Sequence, residues 1–347
     1  MTNLSNKERY TFFYETDNIR LLGELIFLTL NFYFIGHFAI DTVIKFNEKN
    51  KPTLGGSVSY CSLSLQKYTN DVEISIISKF NQEKYNNKIL EKIKKQDINL
   101  SGVKLINEQL TNFVLDYYNH SRTLKLQSRC PDLEFNDIPE EFIEKKPDVI
   151  VLVPLCNEIA MKYLSNIVKK FPNTYIGIDL QGFIRLIDND GKVLLIYDKE
   201  NIENLYKIIE LIGDKLILKG SEQEMKILSG KKDWTEIMEH FKQFNGLYIM
   251  TLNSSGSMIS KRGEKIIKIP AFKPKKVSDE TGAGDVYFAV FLYEFLKGEK
   301  TWENIKEAGY LASAAASFEI EKKGVNGFRS KSRVKKRVSK ENYINLN

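Results

Sequence analysis

From Pro147 onward the chain alternates between short, densely apolar runs and longer mixed ones, and this alternation leaves few folds open. Asp148–Val153, Tyr175–Leu180, Lys215–Lys219 and Leu247–Leu252 read as strands. Between them lie helical segments near Asn157–Lys170, Ile202–Ile212, Gln223–Leu228 and Trp234–Phe244. Apolar strands separated by helices belong in a parallel sheet, because each return to the same sheet edge needs a crossover, and the crossover helices then cover both faces. The expected class is α/β.

The first half is less regular. Phe32–Ala39 reads as a first strand that meets its loop at Ile40-Asp41. Thr42–Leu54 reads as a short strand, a polar turn at Asn47–Asn50 and a return. Gly55-Gly56 opens a packed helix over Ser57–Lys67, Val72–Ile77 is a strand, and Gln82–Lys95 is helical. Phe113–Tyr118 and Thr123–Gln127 form a hairpin around Asn119–Arg122. Residues 1–30 are read as an N-terminal extension. Leu21–Gly36 contains Glu24 and Asn31 and falls short of the roughly 20 apolar residues a membrane span needs. No small-residue cleavage site follows it, so neither a span nor a secretory signal is expected. Cys61, Cys130 and Cys156 have neither disulfide-framework nor metal-ligand spacing, which points to a reducing, cytoplasmic setting.

Ligands of such sheets bind beyond the carboxyl ends of the strands. Asp41, Gly55-Gly56, Asp179, Lys219-Gly-Ser-Glu222, Asn253 and the Asp279–Asp285 loop all fall there. The last carries the most chemistry. Gly282, Ala283 and Gly284 stand where a loop becomes a helix, and the residues after Asp285 are apolar on every side, as in a helix buried in the core. A helix start offers free N–H groups and a positive dipole end, so these small residues can cradle an anion. Asp285, in the first turn, is favoured as a carboxylate by the same field. A cradle for migrating charge beside a base for a hydroxyl proton is what phosphoryl transfer to an alcohol requires. The plainer alternative is a glycine-rich turn that only caps a core helix.

The longer string favours the chemical reading. Asp279-x-Thr281-Gly-Ala-Gly-Asp285 ahead of a buried helix resembles the C-terminal signature of the PfkB (ribokinase-like) family of carbohydrate and nucleoside kinases. The resemblance runs from about Phe32 to Gly327. It implies a three-layer α/β/α sandwich with a small β lid, drawn here from residues 42–54 and about 103–130, within a kinase domain over 31–327. It further implies an Asp285 base and a Gly282-Ala283-Gly284 anion hole. Asp41 and Gly55-Gly56 match the family's acceptor-binding elements in order and spacing. Tyr60 stands where many members have asparagine, which departs from ribose- or fructose-type recognition. Ser221-Glu-Gln-Glu224 resembles the Asn-x-x-Glu element, whose glutamate organises Mg2+, commonly through water. Thr251, Asn253 and Gly256 resemble the nucleotide loop, with Lys219 just ahead of Ser221. Asp279 and Thr281 lie where some relatives bind a monovalent cation such as K+; capping the Asp285 helix is their other role. The implied co-substrate is ATP.

Gly36-His37-x3-Asp41, Leu54–Tyr60, Ser78-Lys79, Asp179–Arg185 and Leu218–Glu222 look closest to myo-inositol 3-kinases within the family. The expected acceptor is therefore a small polyol or sugar, myo-inositol among them. The alternatives are a nucleoside or hexose acceptor, and a non-catalytic ligand-binding or regulatory protein on the same fold. Many relatives pair through their lids, so a homodimer is an expectation. His37, His120 and His240 are scattered and read as structural, His120 standing in a hairpin that could cover the substrate. Walker A, dinucleotide and protein-kinase motifs are absent.

The net charge of +6 is uneven, because Arg329–Lys340 holds seven basic residues and no acid, and the rest is nearly neutral. This basic C-terminal tail (residues 328–347) reads as a solvated helix face or a frayed terminus, with nucleic-acid binding the lesser alternative.

Overall fold

The computed structural model describes residues 19–22, 25–45, 48–49, 53–83, 90–91, 93–118, 121–195 and 197–344. Six parallel strands lie side by side in the order Val72–Asn81, Leu30–Ile35, Val149–Leu152, Tyr175–Asp179, Leu216–Ser221 and Leu247–Thr251. Ser257–Lys261 and Ile267–Ile269 extend one edge antiparallel. Ile98–Asn99 and Val103–Ile106 pair with the other edge strand.

Successive side chains of a strand point to opposite faces, and here each face has its own core. Phe32, Phe34, Val149, Val151, Ile217 and Ile249 pack with the helices Ser57–Tyr68, Ala283–Lys297 and Trp302–Glu319. Tyr33, Ile35, Ile150, Leu152, Ile176, Ile178, Leu216, Leu218, Tyr248 and Met250 pack with Met161–Lys170, Lys199–Ile212, Glu222–Ser229 and Trp234–Phe241. The α/β/α sandwich is therefore as expected, and its four second-half strands fall within two residues of their expected ends.

A separate five-stranded sheet forms the lid: Ser121–Ser128, Thr111–Tyr118 and Ala39–Lys45, with Glu48–Lys49 and Thr53–Gly55 pairing along the last. Three expectations need correction here. The first strand ends at Ile35, not Ala39. The chain leaves the main sheet at Gly36, whose Cα lies so close to Val153 that a Cβ would sit 2.5 Å from its carbonyl oxygen. Asp41 consequently lies within a lid strand rather than in the loop after the first strand. Val103–Ile106, assigned to the lid, instead pairs with Ser78–Asn81 of the main sheet.

The helix expected from Asn157 starts at Met161, because Asn157 is left-handed (φ 60°) and the Glu158 carboxylate is spent on backbone amides. Of the expected Gln82–Lys95 helix, residues 84–89 and 92 lie outside the described residues, as does His120. Among the described residues no helix is long and apolar enough to cross a membrane. The three cysteines are free and buried.

Candidate active site

The helix Ala283–Lys297 buries ten of its residues between the sheet and the helices Ser57–Tyr68 and Trp302–Glu319. Its N-terminus is not buried with it. Gly282 caps it in the left-handed conformation (φ 81°), and Gly282, Gly284 and Asp285 line a cavity of about 220 Å³. Of the cradle amides, Ala283 reaches Glu280 O at 3.4 Å. Among the described residues the amides of Gly282, Gly284 and Asp285 have no hydrogen-bond partner. They are free to meet an anion.

The lid and the core meet across this cavity. The sheet order reverses between Leu30–Ile35 and Val149–Leu152, the place where open α/β sheets bind ligands. Asp41 enters from the lid. Its carboxylate packs so tightly on Gly55 that a Cβ there would lie 1.9 Å from Oδ2. Gly56 (φ 88°) turns the lid strand into the helix Ser57–Tyr68, which supplies Ser57 and Tyr60 to the wall. Tyr60, 3% exposed, lays its ring on the Cα of Gly282 and meets Phe328 edge-on. Phe113, Leu115, Leu124 and Leu155 form an apolar part of the wall.

Lys219, at the end of its strand, donates from Nζ to Asp179 Oδ2 at 2.6 Å, both side chains being buried. Its ammonium lies beside the cradle, since a Cβ on Gly284 would be 3.2 Å from Nζ. Burial works against the Lys219 charge, but Asp179, Asp285 and Glu224 outweigh it and hold the ammonium above its usual range. Burial raises the Asp285 carboxyl to about 6; Lys219 opposes this, Asp179 adds to it, and a hydrogen bond from Ser57 and the charge of Arg185 oppose it. Burial, with Asp279 and Asp285 nearby, raises Asp41 to about 7 against the pull of Arg185. A carboxylate poised near neutrality, a fixed ammonium and free amides around one space can accept a hydroxyl proton while holding an anion.

Of the sequence-derived site residues, Asp41, Gly56, Tyr60, Lys219, Thr281, Gly282, Gly284 and Asp285 line this cavity, with Gly55 and Ala283 directly beside them. Ser221, Glu224, Thr251, Asn253, Gly256 and Asp279 do not. Ser221 and Glu224 form a capping box: Glu224 Oε2 accepts the Ser221 amide at 2.7 Å, and Ser221 Oγ accepts the Glu224 amide at 3.4 Å. Glu224 Oε1 carries no such bond, and a single available oxygen next to Lys219 suits Mg2+ that keeps most of its water. Asn253 is left-handed (φ 51°), and Gly256 (φ 87°) abuts Ile269 O, as a tight strand-end loop requires. Asp279 Oδ1 accepts the Thr281 amide and Oδ2 the Gly324 amide. It thereby ties the signature to the turn Gly324–Asn326. With both oxygens so engaged, Asp279 and Thr281 show no built cation cage.

Three features have roles that the sequence did not assign to their residues. Gln181 and Arg185 line the cavity, Arg185 anchored through Nη1 to Leu155 O at 3.0 Å. Glu319 is 1% exposed with neither carboxyl oxygen hydrogen-bonded, and burial with the nearby Asp279 charge raises it to about 9. At the lid hinge, His37 pairs with Thr111 Oγ1 and Pro131 O, both at 3.0 Å, and its amide donates to Glu158 Oε1 at 3.2 Å. Cys156 joins this buried group, but the Glu158 oxygens and both His37 nitrogens are already partnered. The knot is a structural tie between lid and core. His240, against the Tyr206 hydroxyl at 2.8 Å, is likewise structural.

Comparison with known proteins places the chain in a family. Residues 55–331 match the profile of the pfkB family carbohydrate kinases. A nucleoside kinase of Methanocaldococcus jannaschii is 34% identical over 134 residues, a stretch covering 39% of this chain and 40% of that protein. The matched stretch is thus well under half the length of that relative. Among solved structures, a pyrophosphate-dependent kinase in the ribokinase family, complexed with a pyrophosphate analogue and myo-inositol, has a TM-score of 0.67 at 20% identity over 84% of this chain and 96% of its own. A fructokinase of Vibrio cholerae, with fructose, ADP and calcium bound, has a TM-score of 0.70 at 15% identity over 89% of this chain and 99% of its own. At these identities the structural likeness speaks for the fold, while the profile covers most of the chain, signature included. The chain belongs to the pfkB family of carbohydrate kinases.

Proposed function

We propose that this protein transfers a phosphoryl group to a hydroxyl of a small polyol or sugar, with myo-inositol the first candidate. The observation that carries the reading is the meeting of Asp285, Lys219 and the unpartnered Gly282 and Gly284 amides around one cavity, with Asp41 facing them from the lid. Asp41, packed on Gly55, would hold acceptor hydroxyls and present one of them to Asp285. Asp285, as carboxylate, takes that proton as the oxygen attacks the donor's terminal phosphorus in line, while the bond from that phosphorus to the bridging oxygen breaks and the rest of the donor (ADP from ATP) leaves. The amides at the helix mouth and the Lys219 ammonium stabilise the charge on the transferring group. Lid side chains Phe113, Leu115 and Leu124 exclude water, which limits wasteful hydrolysis of the donor. Mg2+, when bound, supplies neutralisation of the donor phosphates, and Glu224 would hold it through water.

A second reading, a nucleoside acceptor, draws support from the apolar wall of Phe113, Leu115, Leu124 and Leu155, which would suit a base. The likeness to an archaeal nucleoside kinase points the same way. The deciding experiment measures phosphorylated product across myo-inositol, other polyols, hexoses and nucleosides, with ATP and pyrophosphate each tried as donor. Turnover of one class, reduced about 10²-fold or more by Asp285→Asn, is expected. An Asp285→Asn protein that folds and turns over at the wild-type rate would remove the mechanism.

A further inference from the structure

The family match ends at Lys331, yet the chain continues in ordered contact with the core. The helix Lys331–Val338 is not simply a charged face in water. Val334 is fully buried, and Lys331 pairs with Glu294 of the buried helix at 2.8 Å. Arg337 stacks its guanidinium 3.3 Å from the centre of the Phe318 ring. It also donates to Ser317 Oγ at 2.8 Å and to Glu321 Oε1 at 2.7 Å. Arg333, Lys335, Lys336 and Lys340 remain exposed.

Glu321 is the link. The same Oε1 that meets Arg337 accepts the backbone N–H of Lys275 at 2.8 Å. Ser278 donates from Oγ to Glu321 O at 3.0 Å and from its amide to Ile320 O at 2.7 Å. Past the helix, the chain crosses to the other end of the same loop: Lys273 N–H meets Asn342 O at 2.9 Å and Ile344 N–H meets Ala271 O at 2.8 Å, with Tyr343 against Phe272. Lys273, Lys275, Lys276 and Val277 are exposed, so Lys273–Ser278 has little core of its own. Its course is set by these backbone bonds, and it runs straight into Asp279–Asp285. A loop held by few buried contacts sits at the low-stability end of a structure unless it is tied down.

We propose that residues 331–344 are a strap that positions the loop leading to the anion cradle, with Arg337 and Glu321 as its positioning pair. Arg337 neutralises and orients Glu321; Glu321 and the 342–344 backbone then fix Lys273–Ser278 from both ends. Among the described residues no hydrogen bond or ion pair joins the strap to Asp41, Gly55 or Gly56 on the acceptor side. Catalytic consequences rest on the kinase reading above; the ordering of the loop does not.

The test uses the full chain as wild type, Arg337→Ala, Arg337→Lys, Glu321→Gln and the Arg337→Ala/Glu321→Gln double variant. Hydrogen exchange is read over residues 271–285, with kcat and the two KM values. Arg337→Ala should speed exchange at 273–279 about tenfold and lower kcat about tenfold, while the acceptor KM stays within about twofold. Arg337→Lys should recover part of both, and the double variant should be no worse than the worse single one. Unchanged exchange at 273–279 in Arg337→Ala overturns the strap, as does a melting temperature that falls while exchange there and kcat hold. If the wild type turns over no acceptor at all, the kinase reading falls and the exchange data still decide the strap.

Discussion

Gly282→Ala tests whether the anion cradle is built as described. Gly282 has φ 81°, a conformation that costs a residue with a Cβ about 1–2 kcal/mol. The new Cβ would also lie 2.0 Å from Cδ1, 2.3 Å from Cε1 and 2.6 Å from Cγ of Tyr60. These are rigid ring atoms of a residue 3% exposed and braced by Phe328, so the ring cannot swing aside freely. Overpacking of this kind adds about 1–3 kcal/mol, giving roughly 2–5 kcal/mol in all. Tyr60→Asn removes the ring and leaves only the backbone cost. In that background Gly282→Ala should therefore lose no more than about 1–2 kcal/mol, and the difference is the steric coupling of the pair. Urea denaturation of the four proteins in the cycle measures it. Equal costs of Gly282→Ala in both backgrounds would refute the packing of Tyr60 on the helix mouth.

Other positions give sharper contrasts. Gly56→Ala would place a Cβ 2.7 Å from both Ala39 N and His37 O at φ 88°, and should cost about 2–4 kcal/mol in urea melts. Gly284→Ala meets only the tip of Lys219, so melts should stay within about 0.5 kcal/mol of wild type while turnover falls because the ammonium is displaced. The acid limb of kcat/KM should lie near pH 6, where Asp285 gains its proton. Arg185, which favours the ionised form, is replaced in Arg185→Gln, and the limb should then move to higher pH; an unmoved limb would show that Arg185 does not act on the base. Glu319, raised to about 9, contributes most stability below its unfolded value and loses it as pH rises toward 9. Glu319→Gln should therefore flatten the fall in urea midpoint between pH 6 and pH 8.5, and parallel slopes in the two proteins would count against a protonated Glu319.

What could be read from the chain, and what could not, follows from how far apart the interacting groups lie in it. The parallel sheet was legible because each strand is apolar on both faces over a few consecutive residues, and the helix mouth because Gly282 to Asp285 and their apolar sequel are contiguous. The break at Gly36 was not. Phe32–Ala39 is a run of strand formers throughout, and only in the fold does the carbonyl of Val153, just past a neighbouring strand, show why the residue where the chain leaves the sheet has to be glycine. The hinge knot joins His37 to Glu158 across 121 residues, so no local spacing could announce it. Arg185 reaches the cavity from a short hairpin, Arg185–Ile187 with Val193–Leu195, and the turn residues Asp188–Gly191 that close it do not tell which cavity its first residue faces. The basic tail shows the same limit in the opposite sense. Its composition suggests a solvated face or a frayed terminus, yet Arg337 finds its carboxylate at Glu321, 16 residues back, and its ring at Phe318. Charge read along a sequence counts cations, whereas the fold decides which of them are already answered from within. Here Lys331 and Arg337 are paired inside the molecule, whereas Lys219, buried and held by Asp179, lies beside the cradle with Arg185 lining the same cavity.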